Sequence, residues 1–179
     1  MKRNLALAAF LTALLLTACC ACSDANAGTA DTGPQTWEKS GAYTLQLPRG
    51  FAAQEGEKDT VTLSLDGQAV GGVQTLPYEG AQSLLTMDFA SADGKAATEN
   101  LLQQIAPEEG MAAMLNHAAG EPYLLLTLSP DTPEADTQAE TVHYLFPKGD
   151  KVYDLYFQVS EIPAAQQQLL VDSFTFVSA

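Results

Sequence analysis

Few side chains in this 179-residue chain carry ready chemistry, among them two histidines and three cysteines. His143 lies in the stretch TVHYLFPKGDKVYDLYFQV, which reads as a β-hairpin. With Lys148-Gly149 as its tip, Val142 faces Leu155, His143 faces Asp154, Tyr144 faces Tyr153, and Tyr156 lies diagonal to His143. A carboxylate beside an imidazole fixes its tautomer and leaves the far ring nitrogen as a base. The nearby sequence supplies no nucleophile, and H-E-x-x-H, G-x-S-x-G, S-x-x-K and a phosphate-cradling glycine loop are all missing. His143 and Asp154 are therefore expected to be a structural pair, with Tyr156 completing a candidate ligand or polar site and no catalytic residue among them. Cys19, Cys20 and Cys22 crowd into four positions. Structural zinc wants four ligands from two separated pairs, and no second cluster exists, so no metal site is expected there. Asp131, Glu134, Asp136 and Glu140 lack the fixed oxygen spacing and glycine of a calcium loop. No cofactor is expected.

The cysteines follow an apolar run. Lys2 and Arg3 precede residues 5–16, which carry no charge. A basic start and a short apolar segment have the layout of a secretory signal, and the segment is short for a membrane span, which takes roughly 20 apolar residues. Leu16-Thr17-Ala18-Cys19 resembles the lipobox of bacterial lipoproteins. The resemblance implies diacylglycerol on the Cys19 thiol, cleavage before that residue, and a chain held outside the cytoplasm on the cell membrane. Residues 1–18 are then a signal peptide. Residues 19–36 are the lipidated cysteine and a linker, because residues 23–36 hold no large apolar side chain to offset the entropy of ordering. A flexible tether of that kind spans about 20 Å. Residues 37–179 form one domain, whose lack of cysteine means it must be stable without disulfides.

The formal charge is −14, and loss of Lys2 and Arg3 takes it to −16. That excludes nucleic acid, whose phosphates call for Lys and Arg, and argues against a domain lying flat on anionic lipid. Acidic excess keeps an exported domain soluble, and a cationic ligand or partner is the alternative reading of it.

The elements that must position His143 read as strands, helices, then strands. AYTLQL and TVTLSL alternate, and Asp66-Gly67 turns the second into QAVGGVQTL. Gly71-Gly72 suggests a bulge or a close backbone approach. ATENLLQQI reads as a helix with Ala97, Leu101, Leu102 and Ile105 inward. PEEGMAAMLNHAAG reads as a second helix from Pro107 to Gly120, with Met111, Met114 and Leu115 as core filler and His117 as a favourable charge at its end. PYLLLTL, apolar on both faces, reads as a central covered strand. Pro163 opens a last helix with Leu169, Leu170 and Phe174 inward, and FTFV closes the chain as a short strand. This is an α+β fold, an antiparallel sheet with helices packed on it. The pieces YTLQLPRGF, VGG, HYLFPKGDKVYDLYF and LLVDSFTF resemble the PsbP-like family over roughly residues 37–177. The resemblance implies a binding or assembly-assisting module and carries over no functional residue.

The expected function is a membrane-anchored extracytoplasmic lipoprotein that binds a protein or small-molecule ligand without catalysis. Two alternatives stay open: a hydrolase using His143 and Asp154, and a small substrate-binding lipoprotein of a transporter.

Overall fold

The computed structural model describes residues 33–107, 111–130 and 141–178. The lipobox, Cys19, Cys20, Cys22, most of the linker and the acids Asp131, Glu134, Asp136 and Glu140 lie outside the described residues.

Strands β1 (Gln35–Lys39), β2 (Tyr43–Leu47) and β10 (Thr175–Phe176) form a small antiparallel sheet in the order β1-β2-β10. A seven-stranded antiparallel sheet follows. It contains β3 (Phe51–Glu55), β4 (Val61–Leu65), β5 (Gln68–Pro77), β6 (Met111–His117), β7 (Leu124–Pro130), β8 (Thr141–Lys148) and β9 (Lys151–Gln158), in the order β3-β4-β5-β9-β8-β7-β6. Helix α1 (Ala92–Ile105) precedes β6, and α2 (Ala164–Ser173) precedes β10.

Strand periodicity of two gives the large sheet two apolar faces, and each is covered. Val61, Leu63, Val73, Phe146, Leu155 and Phe157 pack beneath β2 and α2, against Tyr43, Leu45, Leu170 and Phe174. Leu76, Leu115, Leu124, Leu126, Leu145 and Val152 pack beneath Ala81 and Leu84, in a 3-10 turn, and Ala97 and Leu101 of α1. Ser91 caps α1 by accepting the Gly94 N–H at 3.0 Å. Gly94 also lets the helix start lie against the preceding chain: a Cβ there would sit 2.2 Å from the Asp88 carbonyl oxygen.

The β4–β5 hairpin turns at Asp66 and Gly67 with φ of 50° and 86°, the left-handed pair of a type I′ turn. Leu63 and Ser64 of β4 pair with Gly71 and Ala69 of β5, skipping Val70, so the expected irregularity beside Gly71-Gly72 is a bulge. It is also a close approach. A Cβ on Gly71 would lie 2.2 Å from the Tyr156 carbonyl oxygen.

Two expected elements are corrected. Residues 111–117 are strand β6, not part of a helix. Met114 is 60% exposed and Met111 only half-buried, so the methionines are not core filler. Seven registered pairs with β7 override the helix-favouring Ala, Met and Leu, since tertiary pairing outweighs local propensity. β7 itself is next to the sheet edge rather than central. Leu124 and Leu126 are buried toward α1, while Leu125 is half-buried on the other face.

The Tyr43 hydroxyl is buried with no hydrogen-bond partner among the described residues. Burial, then the charge of Glu55 and neighbouring Tyr153 and Asp59, push the phenol's pKa far above its ordinary 10.0. Burial likewise raises Tyr78, Tyr123, Tyr144 and Tyr156. A raised folded-state pKa gives stability that is complete below the unfolded value and is lost as pH climbs toward the folded one. Melting temperature is therefore expected to hold up to pH about 10 and to fall above it. Phenolate absorbance should rise together with unfolding rather than before it. Tyr43→Phe removes a hydroxyl that makes no bond, so it should melt no lower than wild type at neutral pH and lose less in alkali.

Candidate functional site

β9 contributes Asp154 and Tyr156, β8 contributes His143, and β5 contributes Gly72 and Gln74, all on the α1 face of the sheet. The β8–β9 loop is Gly149-Asp150, flanked by the pair Lys148↔Lys151. Gly149 has φ of 60°, as the first central residue of a type II′ turn requires. The expected pairing is thus corrected by two residues. Val142 faces Phe157, His143 faces Tyr156, Tyr144 faces Leu155, and Asp154 faces Leu145. A slip of two keeps every side chain on its face, whereas a slip of one would invert them all. His143 and Asp154 therefore still share a face, as diagonal neighbours.

The geometry is close. The His143 Nδ1 lies 3.0 Å from each carboxylate oxygen of Asp154. The Gln74 Nε2 donates to Oδ2 at 2.7 Å. The Tyr156 ring stands opposite the imidazole, 5.7 Å between centroids at 24°. Asp154 is 0% and His143 5% exposed. A carboxylate out of water is costly unless donors replace its hydration, and Gln74 and His143 are those donors. With Nδ1–H donated to Asp154, the neutral imidazole carries its lone pair on Nε2, which nothing among the described residues hydrogen-bonds. Tyr156 resists ionisation through burial and the adjacent Asp154 charge. Its ring lies over Gly72, where a Cβ would come within 3.0 Å of the hydroxyl. The arrangement is an oriented imidazole roofed by the fold.

Gln74 escaped the sequence reading. Only the pairing of β5 with β9, 80 positions away, brings it to Asp154. His117, expected at a helix end, sits at the end of β6. Its Nε2 lies 2.8 Å from the Met87 carbonyl, which it meets as donor, and its ring lies 4.9 Å from that of Phe89. Among the described residues no three His, Cys, Asp or Glu converge as a metal site.

A separate groove of about 640 Å³ runs between α1 and the end of β5, lined by Tyr78, Glu79, Met87, Asp93, Asn100 and Gln103 among others. It does not reach His143. Its size is that of a small-ligand cleft, for which roughly 300–1,000 Å³ is usual.

No family model matches the sequence, and no curated protein matches it. Among solved structures, the chain is similar to the solution structure of cyanobacterial PsbP (CyanoP) from Synechocystis sp. PCC 6803. The TM-score is 0.50 at 11% identity, over 85% of this chain and 96% of that one. A protein of known structure from Bacteroides thetaiotaomicron VPI-5482 overlaps 82% of this chain and 49% of its own, with TM-score 0.40 and 7% identity. The fold is PsbP-like, and α+β as expected.

Proposed function

We propose that this PsbP-fold domain is a non-catalytic binding module, held outside the cytoplasm by lipid on Cys19, that engages a protein or small-molecule partner. The observation that carries the non-catalytic reading is the burial of the His143–Asp154 pair. Both donors to Asp154 come from within the sheet, and His143 is only 5% exposed, which suits a pair satisfied inside the fold better than a base presented to substrate. The anchoring rests on Leu16-Thr17-Ala18-Cys19 behind a basic, then apolar, start. The acidic charge supports a domain held clear of anionic lipid.

The anchor is tested by acyl labelling. Cys19→Ser is expected to lose all label and accumulate an uncleaved precursor, while wild type resists a salt wash. Mature protein that begins elsewhere and remains free in the medium overturns the anchor.

A further inference from the structure

β6 is an edge strand, paired among the described residues with β7 alone. Just beyond it, the Ala118 N–H donates to the Tyr123 carbonyl, in register with the ladder. Antiparallel residues alternate between bonding their partner strand and turning both backbone groups away. Ala112, Met114 and Asn116 therefore bond to β7. Met111, Ala113, Leu115 and His117 turn N–H and C=O outward, and Met111 fits this, since its partner Pro130 has no N–H. Among the described residues nothing hydrogen-bonds the outward groups of Ala113 and Leu115.

Natural edges are guarded by Lys, Pro or a bulge. Strand β6, MAAMLNH, has no charge and no proline, and its register runs unbroken through seven pairs. Met114 is the one exposed large hydrophobic among the described residues. The edge opens on a groove of about 240 Å³ shared with α1, lined by Phe89, Lys95, Thr98, Glu99, Ala113 and Met114 among others. A free edge with a helix alongside receives extended peptides as an added strand: main-chain bonds hold the peptide and alternate side chains select it.

We propose that an extended segment of a partner polypeptide adds to β6 as an eighth strand. Its backbone bonds Ala113 and Leu115, and its alternate side chains fall beside Phe89 and against Met114. This rests on the reading of the domain as a binding module. Charge selects the occupant. Two copies would bring together strongly acidic chains, of formal charge −14 before and −16 after loss of Lys2 and Arg3, so a neutral or basic segment with alternating apolar residues fits better than a second copy.

The test places a photo-crosslinking amino acid at position 114 of the full tethered chain, with the same group at exposed Gln54 on the opposite edge strand and at exposed Gln103 in the α1 groove. The joined residues of the captured partner are mapped, and a synthetic peptide spanning them is titrated into the protein. The peptide is expected to slow amide exchange at Ala113 and Leu115 and leave Ala112 and Met114 unchanged. Ala113→Pro removes an outward N–H without touching the β7 ladder, so it should keep the melting temperature and weaken the peptide about tenfold. Capture from 54 or 103 but not from 114 overturns the edge and leaves the binding module standing, whereas capture from none of the three sinks both. Crosslinking to a second copy overturns the proposal. So does protection of Ala113 and Leu115 in the free monomer, which would mean that the chain covers its own edge. A peptide that binds equally well to Ala113→Pro also overturns it.

Discussion

Asp154→Ala is expected to cost about 3–5 kcal/mol, because the carboxylate is fully buried and its loss strands the donors of both Gln74 and His143. In a domain of this size that is a fall of roughly 10 °C or more in melting temperature. His143→Ala should cost less, since Gln74 still partners the carboxylate. The double variant should fall short of the sum of the two by about 1–3 kcal/mol, the mark of groups within one network. The cycle also separates structure from catalysis. A structural pair loses stability and phenotype together. A true general base contributes about 10²–10⁴-fold to rate. A His143→Ala protein that kept its melting temperature and abundance while losing the phenotype would therefore put the enzyme reading ahead of the binding module.

Gly71→Ala is expected to cost about 3 kcal/mol, at the upper end of what one overpacked methyl does. The new Cβ would meet backbone on β9, 2.2 Å from the Tyr156 oxygen and 2.7 Å from the Phe157 Cα, and neither can move without parting β5 from β9. Urea unfolding with an unchanged m-value should show it as a lower midpoint. A change within about 0.5 kcal/mol, the usual range for an exposed site, would show that the strands separate there at little cost.

What the sequence disclosed follows the range of the interaction. The Asp66-Gly67 hairpin, the apolar face of α1, and the helix after Pro163 are set by neighbours within a few positions, and all were legible, whereas the Ser91 cap that starts α1 went unread. β6 misled because Met111, Met114 and Leu115 stand at helical spacing while their strand character comes from β7. The turn at Gly149-Asp150 did carry a local signal, glycine first in a two-residue loop, and reading it one position early moved the register by two. That error spared the faces, so the nearness of His143 and Asp154 was readable. Their burial was not. It depends in part on β5, distant in sequence, which brings Gln74 to Asp154. The second apolar face, beneath α1, was hidden because Asp154, Tyr156 and Gln158 make it look wet.

The order of strands also bears on when this chain can fold. β9 lies mid-sheet, joining the early strands β3-β4-β5 to the late strands β8-β7-β6. Until it forms, the two halves have no ladder between them. Closure of the small sheet comes later still, when the Thr44 hydroxyl reaches the Thr175 carbonyl across 131 positions. Long-range pairing of this kind slows folding, because loop entropy is lost before contacts form. A ribosome-bound chain should therefore stay open until nearly its whole length has emerged. If the export signal proposed for residues 1–18 acts on the unfolded chain, that delay would keep the chain threadable until its last strands arrive.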